Sequence, residues 1–134
     1  VLKRLREPPK SRVEKMRITR GSRVCVRGIT EPDFLAELKS LGATVSTRTR
    51  AGEEMIVAGI ETNADLDKIA ALATSLAPTG VLWVVHPKGA AGVKDTEIFA
   101  AAKRAGLTYT KVVKFSEVRS AERLVVPKAA RAAK

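Results

Sequence analysis

Apolar residues recur along this 134-residue chain in two rhythms. Short apolar runs rich in β-branched residues, "RVCVRGI" at 23–29, "ATVSTRT" at 43–49, "MIVAGI" at 55–60 and "VLWVV" at 81–85, have the length and composition of strands. Between them the apolar positions fall three and four apart, as one face of a helix requires: Phe34, Leu35, Leu38 and Leu41; then Leu66, Ile69, Ala70, Ala73 and Leu76; then Ile98, Phe99 and Ala102. The punctuation agrees. Thr30 can cap the first helix, with Pro32 in its first turn and Asp33 three residues after the cap, and Gly42 stops it. The second helix begins at Thr62 and Asn63 and ends at Pro78-Thr79-Gly80, and the third has Asp95 as N-cap and Gly106 at its end.

Two more strands, "YTKVVKF" at 109–115 and "ERLVV" at 122–126, are joined by "SEVRSA", which is too short for a parallel crossover, so this pair must be antiparallel. Strands alternating with helices and then a closing hairpin predict an open, mainly parallel α/β sheet. Trp83, Phe34 and Phe99 fall within apolar periodic patterns and are read as core. Pro8 and Pro9 interrupt any helix near the start, so residues 1–11 form a basic, proline-containing arm. One domain follows over 12–128, opening with a short amphipathic turn that carries Val13, Met16 and Ile18, and 129–134 is a basic tail. The single cysteine, Cys25, lies between two valines and reads as a buried thiol in a reduced, cytoplasmic setting. No apolar stretch approaches the roughly 18 residues that a membrane helix needs, so no membrane partner is expected.

Charge changes the picture. The net charge of +11 is concentrated at the ends: ten basic residues against two acidic ones in 1–27, and seven against two in 111–134. Basic ends on a near-neutral middle point to nucleic acid as a partner through counterion release, although aromatic residues to stack bases are only 4% of the chain.

Three stretches resemble class I S-adenosylmethionine-dependent methyltransferases: "ITRGSRV" at 18–24, "LAPTGVLWVV" at 76–85 and the closing hairpin at 109–126. The chain is also similar to a family of small uncharacterised bacterial domains that share "LAP-x-G-x-LWV-x-x-PK" and a C-terminal "RLV-x-P". The resemblance implies a three-layer Rossmann-like, methyltransferase-like sheet. It also sets the departures. The family's acidic residue and Gly-x-Gly after the first strand are replaced by "VRGITEPDF", with Gly28 alone. The acid expected at the end of the second strand is replaced by Arg48 and Arg50, and Glu53 and Glu54 come too late. The link from 48 to 54 has no room for the family's inserted helix, strand and helix. The expectation is a reduced scaffold without cofactor, S-adenosylmethionine included.

In such a sheet, ligands sit beyond the carboxyl ends of the strands, which places Gly28, Thr30, Arg48, Gly59, Glu61, His86 and Lys88 around one crevice. Glu31 and Asp33 are further carboxylates near that rim. The stretch "HPKGAAGVKDTEIF" at 86–99 lacks Walker spacing and reads first as a strand-to-helix turn. A single histidine excludes a multi-histidine metal site, and no serine has the context of an activated nucleophile. The sequence therefore favours a non-catalytic binding module for an anionic partner, a nucleotide or a nucleic acid. Its alternatives are a small enzyme using His86 and Lys88 on a phosphorylated or carboxylated substrate, a degenerate methyltransferase, or a subunit whose exposed edge strand pairs with another copy.

Overall fold

Val24, Cys25 and Val26 are buried at the centre of strand β1 (Arg23–Arg27), so an unbroken apolar run rather than an alternating one encodes it. The structure, a computed structural model, describes residues 12–29, 31–88 and 93–127. The expected arm at 1–11 and tail at 129–134 lie outside the described residues, as does Thr30. Ahead of β1, the single turn α1 (Arg12–Lys15) buries Val13 and leads to Met16 and Ile18, both buried. After β1, helix α2 (Pro32–Leu41) has its N-cap at Glu31, with Pro32 at the start, and ends at Gly42 in the left-handed region, φ 91°.

Strand β2 (Thr44–Ser46) is shorter than expected. The Ser46 hydroxyl donates to the Arg48 carbonyl and accepts from the Arg48 amide, and this local turn competes with further pairing. Strand β3 (Glu53–Gly59) follows, then a 3₁₀ turn (Asn63–Leu66) and helix α3 (Asp67–Ala73). This helix stops earlier than its apolar spacing suggests. The Thr74 hydroxyl donates to the Ala71 carbonyl and the Glu53 amide takes the Ser75 carbonyl, so Leu76 opens strand β4 (Leu76–Pro87) instead of closing the helix. Ala70, expected inward, is exposed, and Leu72 takes its place against the core. Helix α4 (Asp95–Arg104) has Lys94 rather than Asp95 at the N-cap, with the Lys94 amide donating to Glu97. Strands β5 (Thr108–Lys114) and β6 (Arg119–Val125) close the fold.

The six strands run in the order β2-β1-β3-β4-β6-β5. The first four pair in parallel, and β6 pairs antiparallel with both β4 and β5. The fold is therefore the mainly parallel α/β sheet with an antiparallel hairpin that the pattern predicts. Helices cover both faces. Phe34, Leu38, Met16, Trp83 and Phe115 fill the α1–α2 side, and Ile56, Ile60, Ile69, Leu82, Ile98 and Leu124 fill the α3–α4 side. No helix among the described residues is long and apolar enough to cross a membrane.

Polar anchors fix the margins of this core. Arg12 donates to both Glu37 carboxylate oxygens at 2.9 Å and to the Phe115 carbonyl at 2.7 Å, with its guanidinium over the Phe34 and Phe115 rings. At the amino ends of the strands, Glu53 is 2% exposed and accepts two bonds from Arg23 and one from the Arg50 amide. Burial raises the Glu53 carboxyl, but the Arg23 guanidinium, the Arg50 amide and both arginine charges together hold it below its ordinary 4.5. Its contribution to stability is complete above that value and is lost as the pH falls through the lower folded-state value. Arg23→Met leaves this carboxylate buried without a counter-charge, and denaturant unfolding at neutral pH should show a loss of about 3 kcal/mol. The deficit should shrink as the pH drops below 4.5 and Glu53 is neutralised; a deficit that stays flat with pH would mean that only packing was lost.

Candidate functional site

The order of the strands places a switch point between β1 and β3, whose crossovers leave in opposite directions. There the two backbones converge beyond their last paired residues, Arg27 and Ala58. Gly28 adopts φ +71°, and a Cβ added to Gly59 would stand 2.5 Å from the Gly28 carbonyl oxygen, so this contact requires glycine at 59. On one side of it lies a space of about 230 Å³ bounded by Gly28, Ala58, Gly59, Ala71 and Leu72, with Lys68 at its margin. On the other, a space of about 140 Å³ is bounded by Gly28, Ile29, Glu31, Glu61 and Arg119.

The second space is built around Arg119. Because β6 runs antiparallel to β4, with Arg119 opposite Pro87, the first residue of β6 arrives at the carboxyl ends of the parallel strands. Its guanidinium grips Glu61 through two bonds, Nε to Oε2 at 2.9 Å and Nη2 to Oε1 at 2.7 Å, and Glu31 approaches Nη1 at 3.6 Å. Glu31 is free for this because its side chain makes no capping bond at the start of α2. The Glu61 hydrogen bond, reinforced by the charges of Glu61 and Glu31, raises the Arg119 pKa despite burial. The side chains of Glu31, Arg119 and Glu61 are 27%, 29% and 40% exposed, so the cluster is half open to solvent. At such exposure an ion pair is worth about 1 kcal/mol or less, which leaves its partners exchangeable.

The residues expected around one crevice therefore divide. Gly28, Gly59 and Glu61 meet at the switch point. Arg48 is exposed beyond β2, and its carbonyl and amide are engaged by Ser46. Asp33 is exposed on α2. His86 and Lys88 line a separate cavity of about 490 Å³ on the α4 side of β4, β6 and β5. His86 is 5% exposed and is engaged through both ring nitrogens: Nε2 is 2.9 Å from Glu122 Oε2, and Nδ1 is 3.1 Å from the Pro87 carbonyl oxygen. Phe99 is only half buried there, and its ring lies 4.5 Å from that of Tyr109, so it lines this cavity rather than the core. Burial, then the fields of Glu122 and Asp95, raises the Tyr109 hydroxyl pKa, which keeps it protonated. Arg119 and Glu122 were not foreseen. Arg119 falls in the link expected at 116–121, and the sequence carries no signal that the strand of Glu122 is paired on both sides.

A model of a family described as a protein of unknown function, DUF3052, matches residues 55–128. No curated protein matches the chain. Among solved structures, the chain is similar to a TehB-like SAM-dependent methyltransferase from Corynebacterium glutamicum, with a TM-score of 0.64 at 12% identity over 87% of this chain and 86% of that one. It is similar to a SAM-dependent methyltransferase from Aquifex aeolicus, with a TM-score of 0.63 at 14% identity over 93% and 96%. A ribosomal protein L11 methylase from Lactobacillus delbrueckii subsp. bulgaricus gives 0.54 at 12% identity over 85% and 74%. The methyltransferase-like fold follows from these matches. They also correct the expectation that the chain takes no cofactor, because the structures sharing its fold are named for dependence on S-adenosylmethionine.

The switch point makes a direct test of the backbone constraint possible. Gly59→Ala should force β1 and β3 apart at their carboxyl ends and destabilise the protein by about 1–3 kcal/mol, as other overpacked sites do. Thermal unfolding would measure this, and an unchanged midpoint would show that the Gly28 segment yields freely.

Proposed function

We infer that this chain, which belongs to the DUF3052 family of proteins of unknown function, is a reduced methyltransferase-fold protein that binds S-adenosylmethionine at the switch point between β1 and β3. The observation that carries this reading is the half-open cluster of Glu31, Arg119 and Glu61 beside an apolar space, with Gly28 between the two. The ligand has an ammonium, a carboxylate and a nucleoside. The cluster offers carboxylates to the first and a guanidinium to the second, and Ala58, Gly59, Ala71 and Leu72 offer an apolar wall to the third. Each exposed ion pair in the cluster costs little to exchange for a ligand contact. The nucleoside would be held without a carboxylate at the end of β2, where Ser46 and Thr47 stand and Arg27 donates to the Thr47 carbonyl. When bound, S-adenosylmethionine carries an electrophilic methyl group.

Calorimetry with S-adenosylmethionine should show saturable binding to the full chain. Arg119→Met should weaken it by about 10- to 100-fold, since a hydrogen bond to a charged group contributes about 1.5–3 kcal/mol. No heat of binding, or equal affinity in the variant, would overturn the reading.

A second reading, nucleic-acid binding, is favoured by the opposite edge of the sheet. Lys15, Arg17, Lys111 and Lys114 surround a hollow of about 480 Å³ that also includes Glu14. Burial, and next the charge of Arg17, lowers the pKa of Arg123 beside it. Cations that repel one another are stabilised by phosphates placed between them. With about four phosphate contacts, affinity for short duplex DNA should fall of order 100-fold between about 50 and about 200 mM salt. Replacing Arg17 and Lys111 together by Ala should lower the salt slope by about two. An unchanged slope would move any binding away from this edge.

A further inference from the structure

We propose that the cavity between α4 and the β4-β6-β5 face is a second ligand site, for a small flat molecule that carries a hydroxyl donor at one end and an anionic group at the other. The inner end is set by Glu122. This residue lies in the middle of β6, paired with Val84 on one side and Val112 on the other, and is only 4% exposed. Its Oε2 is bonded to His86, but its Oε1 has no hydrogen-bond partner among the described residues, although the residue lines the cavity. A buried acceptor left unmade is costly, and because Oε1 is itself closed to solvent while Glu122 lines the cavity, a donor entering from the cavity reaches it only by displacing the side chains that cover it.

Proton bookkeeping on the pair defines what that partner must be. The Pro87 oxygen 3.1 Å from His86 Nδ1 is a carbonyl and can only accept, so Nδ1 carries a hydrogen. One further proton then occupies the contact of 2.9 Å between Nε2 and Oε2. Wherever that proton sits, Oε1 remains an acceptor. It therefore selects an O–H or N–H donor. The wall is aromatic along Phe99 and Tyr109, whose rings are in contact and suit a flat body, and polar along Asp95, Thr96 and Ser120. Lys88 and Lys94 are both exposed at the margin and suit a carboxylate at the outer end. This site shares no residue with the switch-point cluster, so the two stand or fall separately.

Two probes separate the donor from the rest of the molecule: 4-hydroxyphenylacetate, and phenylacetate, which lacks the hydroxyl. In an NMR titration of the full chain, 4-hydroxyphenylacetate should shift Phe99, Tyr109, Ser120 and Glu122 saturably and bind at least about 10-fold more tightly than phenylacetate. Glu122→Gln should keep this preference, because its amide can donate to His86 Nε2 and leave Oε1 as it was. Glu122→Met has no acceptor and should bind both probes alike. Prior saturation with S-adenosylmethionine should change none of this, so loss of one site does not mimic loss of the other. No saturable shift at these residues, equal affinity of the wild-type protein for the two probes, or loss of the preference in Glu122→Gln would overturn the proposal. The comparison of probes on the wild-type chain is decisive even if Glu122→Met does not fold.

Discussion

Everything distinctive in this molecule hangs on the insertion of β6 between β4 and β5. A strand hydrogen-bonded on both sides is held along its whole length, so its side chains are placed as firmly as those of the parallel core. Its antiparallel direction puts its first residue, Arg119, over the carboxyl ends of β1 and β3, and its middle residue, Glu122, among the buried groups of the α4 face. One strand thereby supplies the central charge of the switch-point cluster and the unpartnered acceptor of the second cavity. The strand has apolar anchors to do this: Ala121 packs into one core and Leu124 into the other, and both are fully buried.

The two polar devices on β6 obey different energetics. Arg119, Glu61 and Glu31 are half exposed, so solvent screens them and their mutual attraction is weak; a ligand need only match it. His86 and Glu122 are nearly dry, where an isolated charge would be expensive, and they are bonded to each other at 2.9 Å. An open cluster of charges suits a zwitterion that brings its own charges. A closed pair with one unpartnered acceptor suits a donor. The same strand thus presents different chemical demands at two points a few residues apart.

The fold was legible because its signals are local. Pro32 and Gly42 bracket α2, the apolar runs at 55–60 and 81–85 mark the central strands, and the short link between β5 and β6 forces an antiparallel pair. The errors lie where side chains compete with the backbone. Ser46 ends β2 by folding onto Arg48, and Thr74 ends α3 before Leu76, and neither is visible to hydrophobic periodicity. The crevice was legible only in part. Gly28, Gly59 and Glu61 follow from the rule that ligands lie beyond strand ends, but His86 and Lys88 follow the same rule to a different cavity. The rule gives the end of the sheet and not its face. Arg119 and Glu122 depend on where β6 sits in the sheet, which a hairpin's sequence does not state.

The shortened scaffold makes the switch point what it is. Between β2 and β3 only residues 47–52 remain, so β2 is an edge strand of three residues and contributes no carboxylate near the crevice. Side chains of β1 hold that segment instead: Arg23 reaches Ser46, Arg48 and Glu53, and Arg27 holds the Thr47 carbonyl. Charge reaches the rim from the far side of the sheet through Arg119 of β6 and from the start of α2 through Glu31. Because Gly59 cannot accept a Cβ against the Gly28 carbonyl, β1 and β3 stay closed beneath that cluster. A ligand bound as proposed above would therefore lie across the Gly28 backbone rather than between the strands.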